Sequence, residues 1–260
     1  MKITLVILSI CVTLLSFTTP PPKLRKGKNK AFTRGEKLTY RVHYGLINAG
    51  EAILEVQEDS TIIGKRKTLH LVGKGKSLGA FNWFFKVRDN YESYLDEESL
   101  MPWLFIRNVE EGSYKLDRTV LFNQYEKKAV VDDSAYVVPA YCQDLLSAFY
   151  YARTLDLENL ALNDTVSINT FFDNENYPLM IKYIGKDTLD SDIGDIRCLK
   201  FRPLLQVGRV FKEEEDMTVW ISDDPNKVPV RVQANVVVGS IKMDLNETEG
   251  LLHKLAKAKD

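Results

Sequence analysis

Apolar and polar residues alternate through most of the chain from residue 31 onward. A period of two is typical of a strand that buries one face and exposes the other. The first two such runs are separated by a turn from Gly45 to Gly50, so they predict two neighbouring strands. Their apolar positions are Leu38, Tyr40, Val42 and Tyr44 on the first strand, and Ala52, Leu54 and Val56 on the second.

Similar runs recur along the chain, and Gly, Pro, Asp or Asn separate them at short intervals. This spacing predicts a mainly β protein (a β-rich α+β fold) built on one large, mostly antiparallel sheet. The further predicted strands lie at 68–74, 84–95, 103–110, 113–122, 128–131, 165–172, 179–185, 196–202, 217–222, 228–238 and 240–246.

One helix is predicted from Pro139 to about Leu155. Its apolar residues lie nearly all around the helix, so we expect it to be covered on several sides. A large curved sheet or incomplete barrel, with this apolar helix packed in its concave face, accounts for both patterns. Weaker patterns predict a short helix at 157–162 and a helical tail at 251–258.

Asp144 and Arg153 are the polar exceptions on the predicted helix. They are nine positions apart, or about two and a half turns, so they point to opposite sides and do not pair with each other. Buried polar groups need partners, so we expect each to anchor a loop or a strand as a cap or an ion pair.

Two hairpins, one in each half of the chain, have related sequences. An aromatic strand ends in Asp at 94–96 and leads to Pro102. The stretch at 220–224 leads in the same way to Pro229. Two copies predict two related hairpins but do not establish a repeat array.

Residues 1–18 resemble an export signal, because one lysine precedes an apolar run too short to cross a bilayer as a helix. An uncleaved anchor is the alternative, and a lipid on Cys11 is disfavoured because Ile10 is bulky. We therefore predict a periplasmic or envelope protein with a linker at 19–31, one domain at 32–248 and a tail at 249–260.

Net charge and cysteine content limit the kinds of binding partner and of covalent cross-link that we expect. The net charge of −1 gives no sign of nucleic-acid binding. Membrane contact is expected only through the basic linker, if at all. Cys142 and Cys198 permit one disulfide, although two buried thiols are favoured. The linker cations are Lys23, Arg25, Lys26, Lys28 and Lys30.

Catalytic and cofactor motifs are not found in the sequence. The stretch 73–77 lacks the first glycine of a phosphate loop, since that position is His70. The aspartates at 187–195 lack the glutamate that ends a calcium loop. No Gly-x-Ser-x-Gly elbow is present, so we predict no metal, no cofactor and no catalytic residue.

An aromatic run at 81–85 is the strongest candidate for ligand contact, because aromatic side chains suit apolar ligands and sugars. Ordinary core packing is the alternative, since Trp83 and Phe85 would share one strand face. Two adjacent tyrosines on the predicted helix cannot both face the same way. The ligand-lining candidates are Phe81, Trp83, Phe85, Tyr150 and Tyr151.

Four stretches together resemble a known family: 35–50, 89–96, 144–153 and 220–231. They begin with Gly-Glu-Lys-Leu-Thr-Tyr-Arg-Val, Asp-Asn-Tyr-Glu-Ser-Tyr-Leu-Asp, Asp-Leu-Leu-Ser-Ala-Phe-Tyr-Tyr and Trp-Ile-Ser-Asp-Asp, respectively. In this order they resemble the exported bacterial domain-of-unknown-function family numbered thirty-one hundred and eight. That family carries no established activity. The hairpins also resemble, at fold level, half-barrel envelope proteins that carry or receive lipoproteins.

Our leading hypothesis is a non-catalytic envelope protein that holds an apolar or amphipathic ligand between the sheet and the helix. The alternative is an interaction module with an envelope protein partner in an envelope or polysaccharide-handling assembly. A third reading, a carbohydrate-active enzyme, requires two carboxylates facing each other in a cleft beside aromatics.

Overall fold

The computed structural model describes residues 23–45, 47–204, 217–235 and 240–258. The predicted export signal at 1–18 lies outside these residues. The described residues form two helices, α1 (Phe81–Phe84) and α2 (Leu145–Arg153). They also form fourteen strands: β1 (Lys37–Tyr44), β2 (Ile47–Ile63), β3 (Arg66–Ser77), β4 (Val87–Asp96), β5 (Pro102–Glu111), β6 (Tyr114–Asn123), β7 (Lys128–Val131), β8 (Ser134–Val137), β9 (Thr165–Phe172), β10 (Glu175–Leu189), β11 (Ile196–Leu204), β12 (Met217–Ser222), β13 (Pro229–Asn235) and β14 (Ser240–Glu249).

All fourteen strands join one antiparallel sheet, in the order β8-β7-β6-β5-β4-β3-β2-β1-β14-β13-β12-β11-β10-β9. The pairing of β1 with β14 joins the two halves of the chain. One end of the sheet, here called the rim, carries the β1–β2, β3–β4 and β5–β6 connections. The opposite end, here called the helix end, carries the β4–β5 and β12–β13 connections. The predicted fold class, an antiparallel sheet that does not close into a barrel, is confirmed.

The segment before α2 covers the edge of the sheet at β9. The Gln143 amide donates to the carbonyl of Asn169, and the Phe171 amide donates to the carbonyl of Gln143, both at 2.9 Å. The Asn176 side chain also donates to the Val137 carbonyl at 2.9 Å. The two edge strands of the sheet, β8 and β9, do not pair with each other. Side-chain hydrogen bonds and one short bridge connect these two edges instead.

The two related hairpins form as predicted and share an irregularity. In β4–β5 the register shifts between Tyr94 and Leu95, which pairs with Pro102. In β12–β13 it shifts between Trp220 and Ile221, which pairs with Pro229. Since a bulge adds twist, the same sequence pattern bends the sheet once in each half.

α2 packs on the inner face of the sheet with Leu146 and Tyr150 in the main core cluster, and Cys142, just before the helix, belongs to the same cluster. A helix of this length is marginal in water, so its stability comes from this packing and from its cap. The Asp144 carboxylate accepts from the Ser147 amide, and the Ser147 hydroxyl accepts from the Asp144 amide. This capping box starts the helix at Leu145.

The predicted helix limits are wrong in three places. Residues 139–144 are extended or turned because Gln143 pairs with β9. Residues 157–162 form turns, since the side chains of Asp156 and Asp164 accept from nearby amides. The stretch 251–258 is not helical, and its Ala256 amide donates to Asp224 at 2.9 Å.

Residues of the predicted linker contact the domain at the helix end. Arg25 donates to the carbonyls of Ser99 and Leu100 at 2.9 and 3.0 Å. Its guanidinium also lies over the rings of Tyr141 and Tyr151, 4.8 and 4.4 Å from the centroids. The basic segment is therefore held against the helix end over at least part of its length.

Cys142 and Cys198 are buried free thiols, as the sequence favours. They belong to different core clusters. Burial raises the pKa of both thiols to about 12. Protonated, buried thiols of this kind act as small apolar side chains.

Candidate functional site

The inner face of β3 changes from large to small residues between the helix end and the rim. Leu69 and Leu71 belong to the main core cluster. The next three inner positions are Gly73, Gly75 and Ser77, because side chains alternate along the strand. Space on the concave side therefore increases toward the rim.

The two glycines of β3 serve different purposes. A Cβ at Gly73 would lie 3.3 Å from Cδ2 of Leu54 and 3.5 Å from Cδ1 of Leu146, so Gly73 lets α2 approach the sheet. A Cβ at Gly75 would meet only the Cβ of Asp89, at 3.8 Å. The space beside Gly75 is consequently open.

This open space is a cavity of about 180 Å³, here called the rim cavity. β1, β2, β3, the start of β4 and α1 form its walls, and Ile241 of β14 lies at its border. Nearly all of its lining is apolar, and its principal side chains and small residues are Val42, Tyr44, Ala52, Gly75, Phe81 and Val87.

The aromatic run at 81–85 is divided between the cavity and solvent. Phe81 lines the rim cavity and lies 6.0 Å from the ring of Tyr44. Trp83, Phe84 and Phe85 are 90%, 82% and 43% exposed. The core alternative for Trp83 and Phe85 is thus wrong, because residues 81–84 form α1 instead of starting a strand at 84.

The two predicted tyrosines of α2 face different surroundings. Tyr150 is fully buried in the main core, with its ring 4.9 Å from that of Phe32. Tyr151 is partly buried, and its hydroxyl accepts from Arg25 at 3.1 Å. The rim cavity contacts neither tyrosine, so the structure does not bring the five predicted residues together.

A buried ion pair fixes the C-terminal end of α2. Arg153 donates from two nitrogens to the carboxylate of Glu36, at 2.6 and 2.7 Å. It also donates to the carbonyls of Asn226 and Ala31. The predicted anchoring role of Arg153 is confirmed, and it ties α2 to the segment before β1 and to the β12–β13 connection.

Asp144, the other polar residue predicted as an anchor, holds the opposite end of α2. Besides capping the helix, it accepts from the Ser93 hydroxyl of β4 at 2.6 Å. Burial raises the pKa of Asp144 to about 6, although these hydrogen bonds oppose the shift. The two anchors lie at opposite ends of α2 and have separate partners, so the prediction that they do not pair with each other is confirmed.

Asp89 is an acidic residue on the inner face, opposite Gly75 in the β3–β4 pairing. Burial and the nearby charge of Glu111 raise the pKa of Asp89 to about 6. The Glu110 amide donates to this carboxylate at 3.3 Å. Asp89 places a group that titrates near neutral pH beside an apolar cavity.

Within the described ranges, no three His, Cys, Asp or Glu residues are grouped so that they could hold a metal ion. Two of the aspartates at 187–195 have other partners: Asp187 accepts from Trp220, and Asp192 pairs with Arg41. Within the same ranges, no helix has the length and apolar character needed to cross a membrane.

The sequence reasoning missed the rim cavity. Its signal was present in the alternating small residues Gly73, Gly75 and Ser77, which were weighed only as a phosphate loop. The other side of the cavity uses Gly50, where a Cβ would lie 2.6 Å from the Lys76 carbonyl oxygen. Small residues at paired positions of adjacent strands are the pattern that marks such a space.

Comparisons with known proteins place this geometry among uncharacterised folds. The family profile described as "Protein of unknown function (DUF3108)" matches residues 39–246. The structure is similar to a β-barrel-like DUF1849 protein of Brucella abortus, with a TM-score of 0.54 and 6% identity, covering 84% of this chain and 98% of that one. At this identity the similarity concerns the fold alone.

Two other solved structures are less similar. A DUF1089 family protein of Pseudomonas aeruginosa has a TM-score of 0.40 and 10% identity, with 72% of this chain and 90% of that one covered. Lipoprotein LppX of Mycobacterium tuberculosis has a TM-score of 0.20 and 14% identity, with 85% and 87% covered. The search of curated proteins found no match.

Proposed function

We propose that this chain, which belongs to the DUF3108 family, is a non-catalytic protein of the cell envelope that binds the apolar part of an amphipathic molecule in the rim cavity. The observation that carries the proposal is the apolar cavity of about 180 Å³ beside Gly75. The export-like sequence at 1–18 supports the envelope location.

The volume of the cavity limits the size of the bound group. An apolar cavity of roughly 150 Å³ stays dry and binds benzene, so the rim cavity is large enough for a group of that size. Pockets that enclose whole drug-sized ligands measure roughly 300–1,000 Å³. The cavity therefore suits a short chain or a chain end, while the rest of the molecule lies outside.

Basic residues at the border of the cavity favour an acidic head group. His43 and Lys76 both border the cavity. Because Lys76 follows the inner position Gly75, its side chain lies on the outer face of β3, beside the mouth of the cavity. Lys76 is paired with Glu51 at 2.7 Å, and its side chain is half exposed. It can exchange this surface partner for a ligand at little cost, because exposed ion pairs contribute at most about 1 kcal/mol.

The position of the cavity modifies our leading hypothesis. A ligand between the sheet and α2 would need space beside the helix, but Leu146 and Tyr150 fill that face. The rim cavity contains no residue of α2. We therefore assign the ligand to the sheet and α1 at the rim, instead of to the sheet and α2.

The acidic pair at the rim does not favour the carbohydrate-active alternative. Burial and the nearby charge of Glu111 raise the pKa of Asp89, and the two residues are diagonal neighbours on the paired strands β4 and β5. Retaining glycosidases separate their carboxyl groups by about 5–5.5 Å, and inverting ones by more. Neighbouring carboxyl groups on one strand pair do not face each other across a cleft that could hold a scissile bond, so we assign no catalytic step to them.

Native mass spectrometry tests the proposal, using protein isolated from its own envelope before and after organic extraction. We expect an extra mass that extraction removes and that added oleate, an apolar chain with an acidic head, replaces. Gly75→Val fills the cavity and should abolish both masses. Ser134→Val, the same product residue in exposed β8, should leave them unchanged.

Two results would overturn the proposal. A bare polypeptide mass with no uptake of oleate would show that the chain is not a carrier of such molecules. Uptake that survives Gly75→Val would place the ligand elsewhere. The interaction module would then become the leading reading, and partner crosslinking would follow.

A further inference from the structure

The connection between β3 and β4 presents large aromatic side chains to solvent. Trp83 and Phe84 are the most exposed large apolar residues among those described, and no residue of α1 is buried. Burying such a side chain would stabilise the fold, and the fold gains almost none of this from Trp83 or Phe84. We call residues 81–85 the aromatic tip.

The aromatic tip is held in a defined conformation. Ser77 donates from its hydroxyl to the Asn82 side chain at 2.8 Å and accepts from the Val87 amide at 2.9 Å. The Phe85 amide closes the helical turn on the Phe81 carbonyl at 2.9 Å. Trp83 and Phe84 therefore project from a fixed support, and ordering them costs little on binding.

Apolar side chains of adjacent turns extend the same surface. Ile47, at the β1–β2 connection, is 58% exposed, and Tyr114, after the β5–β6 turn, is half exposed. Phe85 lies against the β5–β6 turn, since a Cβ at Gly112 would meet its ring at 3.1 Å. The exposed apolar residues thus project together at the rim.

Cations flank the aromatic tip without acidic residues between them. The segment 74–88 contains Lys74, Lys76, Lys86 and Arg88 and no Asp or Glu. Lys76 and Lys86 pair with carboxylates of neighbouring strands. Within the described part of the chain, Lys74 and Arg88 form no ion pair, so positive charge remains beside the exposed aromatics.

We infer that the aromatic tip inserts into the interface of a bilayer that contains anionic lipid, with the flanking cations against the head groups. Tryptophan favours the membrane–water interface, and each nearby Lys or Arg strengthens the attraction to an anionic surface. A stable protein interface needs about 800 Å² on each partner, which a tip of a few side chains does not offer. The bilayer is therefore the occupant that this shape and charge fit.

This contact differs from the one expected at the sequence level, which was limited to the basic linker. Arg25 of that segment is bound at the helix end, by Ser99, Leu100 and Tyr151. The aromatic tip lies at the opposite end of the sheet, beside the mouth of the rim cavity. The inference does not depend on the proposed ligand, because a filled cavity leaves the tip in place.

Tryptophan fluorescence and vesicle sedimentation test the inference with protein isolated from its envelope. Of the three tryptophans, Trp103 and Trp220 are 8% and 9% exposed, so a shift on binding reports Trp83. We expect a blue shift, and quenching by brominated lipid, with equimolar phosphatidylglycerol and phosphatidylcholine vesicles. Pure phosphatidylcholine vesicles should bind more weakly.

Variants separate the aromatic tip from other contacts. Trp83→Ser with Phe84→Ser should lower vesicle binding by about tenfold or more, because binding scales with inserted apolar area. Trp83→Phe should keep sedimentation and lose the fluorescence shift. Ile62→Ser with Leu162→Ser, which changes two exposed apolar residues outside the tip, should bind like wild type.

Three outcomes would overturn the inference. One is the absence of a fluorescence shift with anionic vesicles. Another is sedimentation that is unchanged in the tip variant but lost when Lys26, Lys28 and Lys30 are changed to Gln, which would assign the contact to the basic segment. The third is equal binding to both kinds of vesicle.

The Gly75→Val variant should bind vesicles like wild type. The vesicle test and the ligand test can therefore fail separately.

Discussion

The helix end and the rim are built from the same strands, yet their inner faces have opposite character. At the helix end, leucines on β3 meet α2, and the Glu36–Arg153 pair is buried. At the rim, Gly75 and Ser77 leave a cavity, and Trp83 is exposed. We therefore expect the helix end to contribute most of the stability, because it is closely packed. We expect binding at the rim, because open surface is available there.

The largest expected effect is at the helix end, on removing one partner of the buried ion pair. Arg153→Met leaves the Glu36 carboxylate buried without its partner, which should lower the free energy of unfolding by about 3–5 kcal/mol. Lys37→Met, which removes an exposed ion pair with Glu249 between β1 and β14, should cost at most about 1 kcal/mol. Urea unfolding measures both.

A second variant keeps this prediction testable if Arg153→Met does not fold. Glu36→Gln with Arg153→Met removes both charges, so it should recover part of the loss. If the buried and exposed substitutions cost the same, the helix end is not stabilised by its ion pair, and the contrast between the two ends fails there.

Two consecutive inner positions of β3, Gly73 and Gly75, give the next largest expected effect on the free energy of unfolding. They compare a tightly packed position directly with an open one. Gly73→Val overpacks the contact with Leu146 and should destabilise by about 1–3 kcal/mol. Gly75→Val enters open space and reduces the freedom of the unfolded chain, so it should be neutral or stabilising by about 0.5 kcal/mol. Equal destabilisation of the two variants in urea unfolding would mean that the rim is as tightly packed as the helix end.

The sequence predicted the fold well where local pattern determines structure. Strand alternation placed β7, β9 and β12 at their observed limits, and the hairpins at 94–102 and 220–229 form as expected. The anchoring roles of Asp144 and Arg153 followed from the need of polar residues on an apolar helix for partners. The partner Glu36 did not follow, because it is 117 residues away along the chain.

The candidate site was less predictable because it depends on register between distant strands. Gly75 is opposite Ala52 and Asp89 only once β2, β3 and β4 are aligned. Alternation also misplaced Trp83, since four aromatics in five residues indicate burial whether the backbone is a strand or a turn. Burial is decided by tertiary contacts, which single-sequence patterns do not contain.

The rim should also show a pH dependence that reports on Asp89. Its folded-state pKa, about 6, lies above its ordinary value of 3.8, so the folded chain binds this proton more tightly than the unfolded chain. The free energy of unfolding should therefore fall as the pH rises from 3.8 through about 6. Asp89→Asn should weaken this slope and be at least as stable as wild type at neutral pH.

The control for this effect is at the helix end. Asp144 also has a pKa raised to about 6, so it contributes a slope of the same sign in the same pH range. Asp144→Asn keeps a good capping residue and should remove only that second contribution. Urea unfolding across this range separates the two, and a slope unchanged by Asp89→Asn would show that the rim carboxyl is fully solvated.

The smallest expected effect on stability belongs to the aromatic tip, whose exposed aromatics can be compared with a buried aromatic of the main core. Trp83→Ser with Phe84→Ser removes two side chains that bury almost no surface, so the free energy of unfolding should change by less than about 0.5 kcal/mol. Phe105→Ala, an aromatic truncation in the main core, should cost about 3–5 kcal/mol. Thermal unfolding of both variants measures the difference, and a tip variant as unstable as the core variant would mean that these aromatics serve the fold. Unchanged stability would leave binding at the rim as their remaining use, because exposed tryptophan and phenylalanine gain nothing from the folded chain itself.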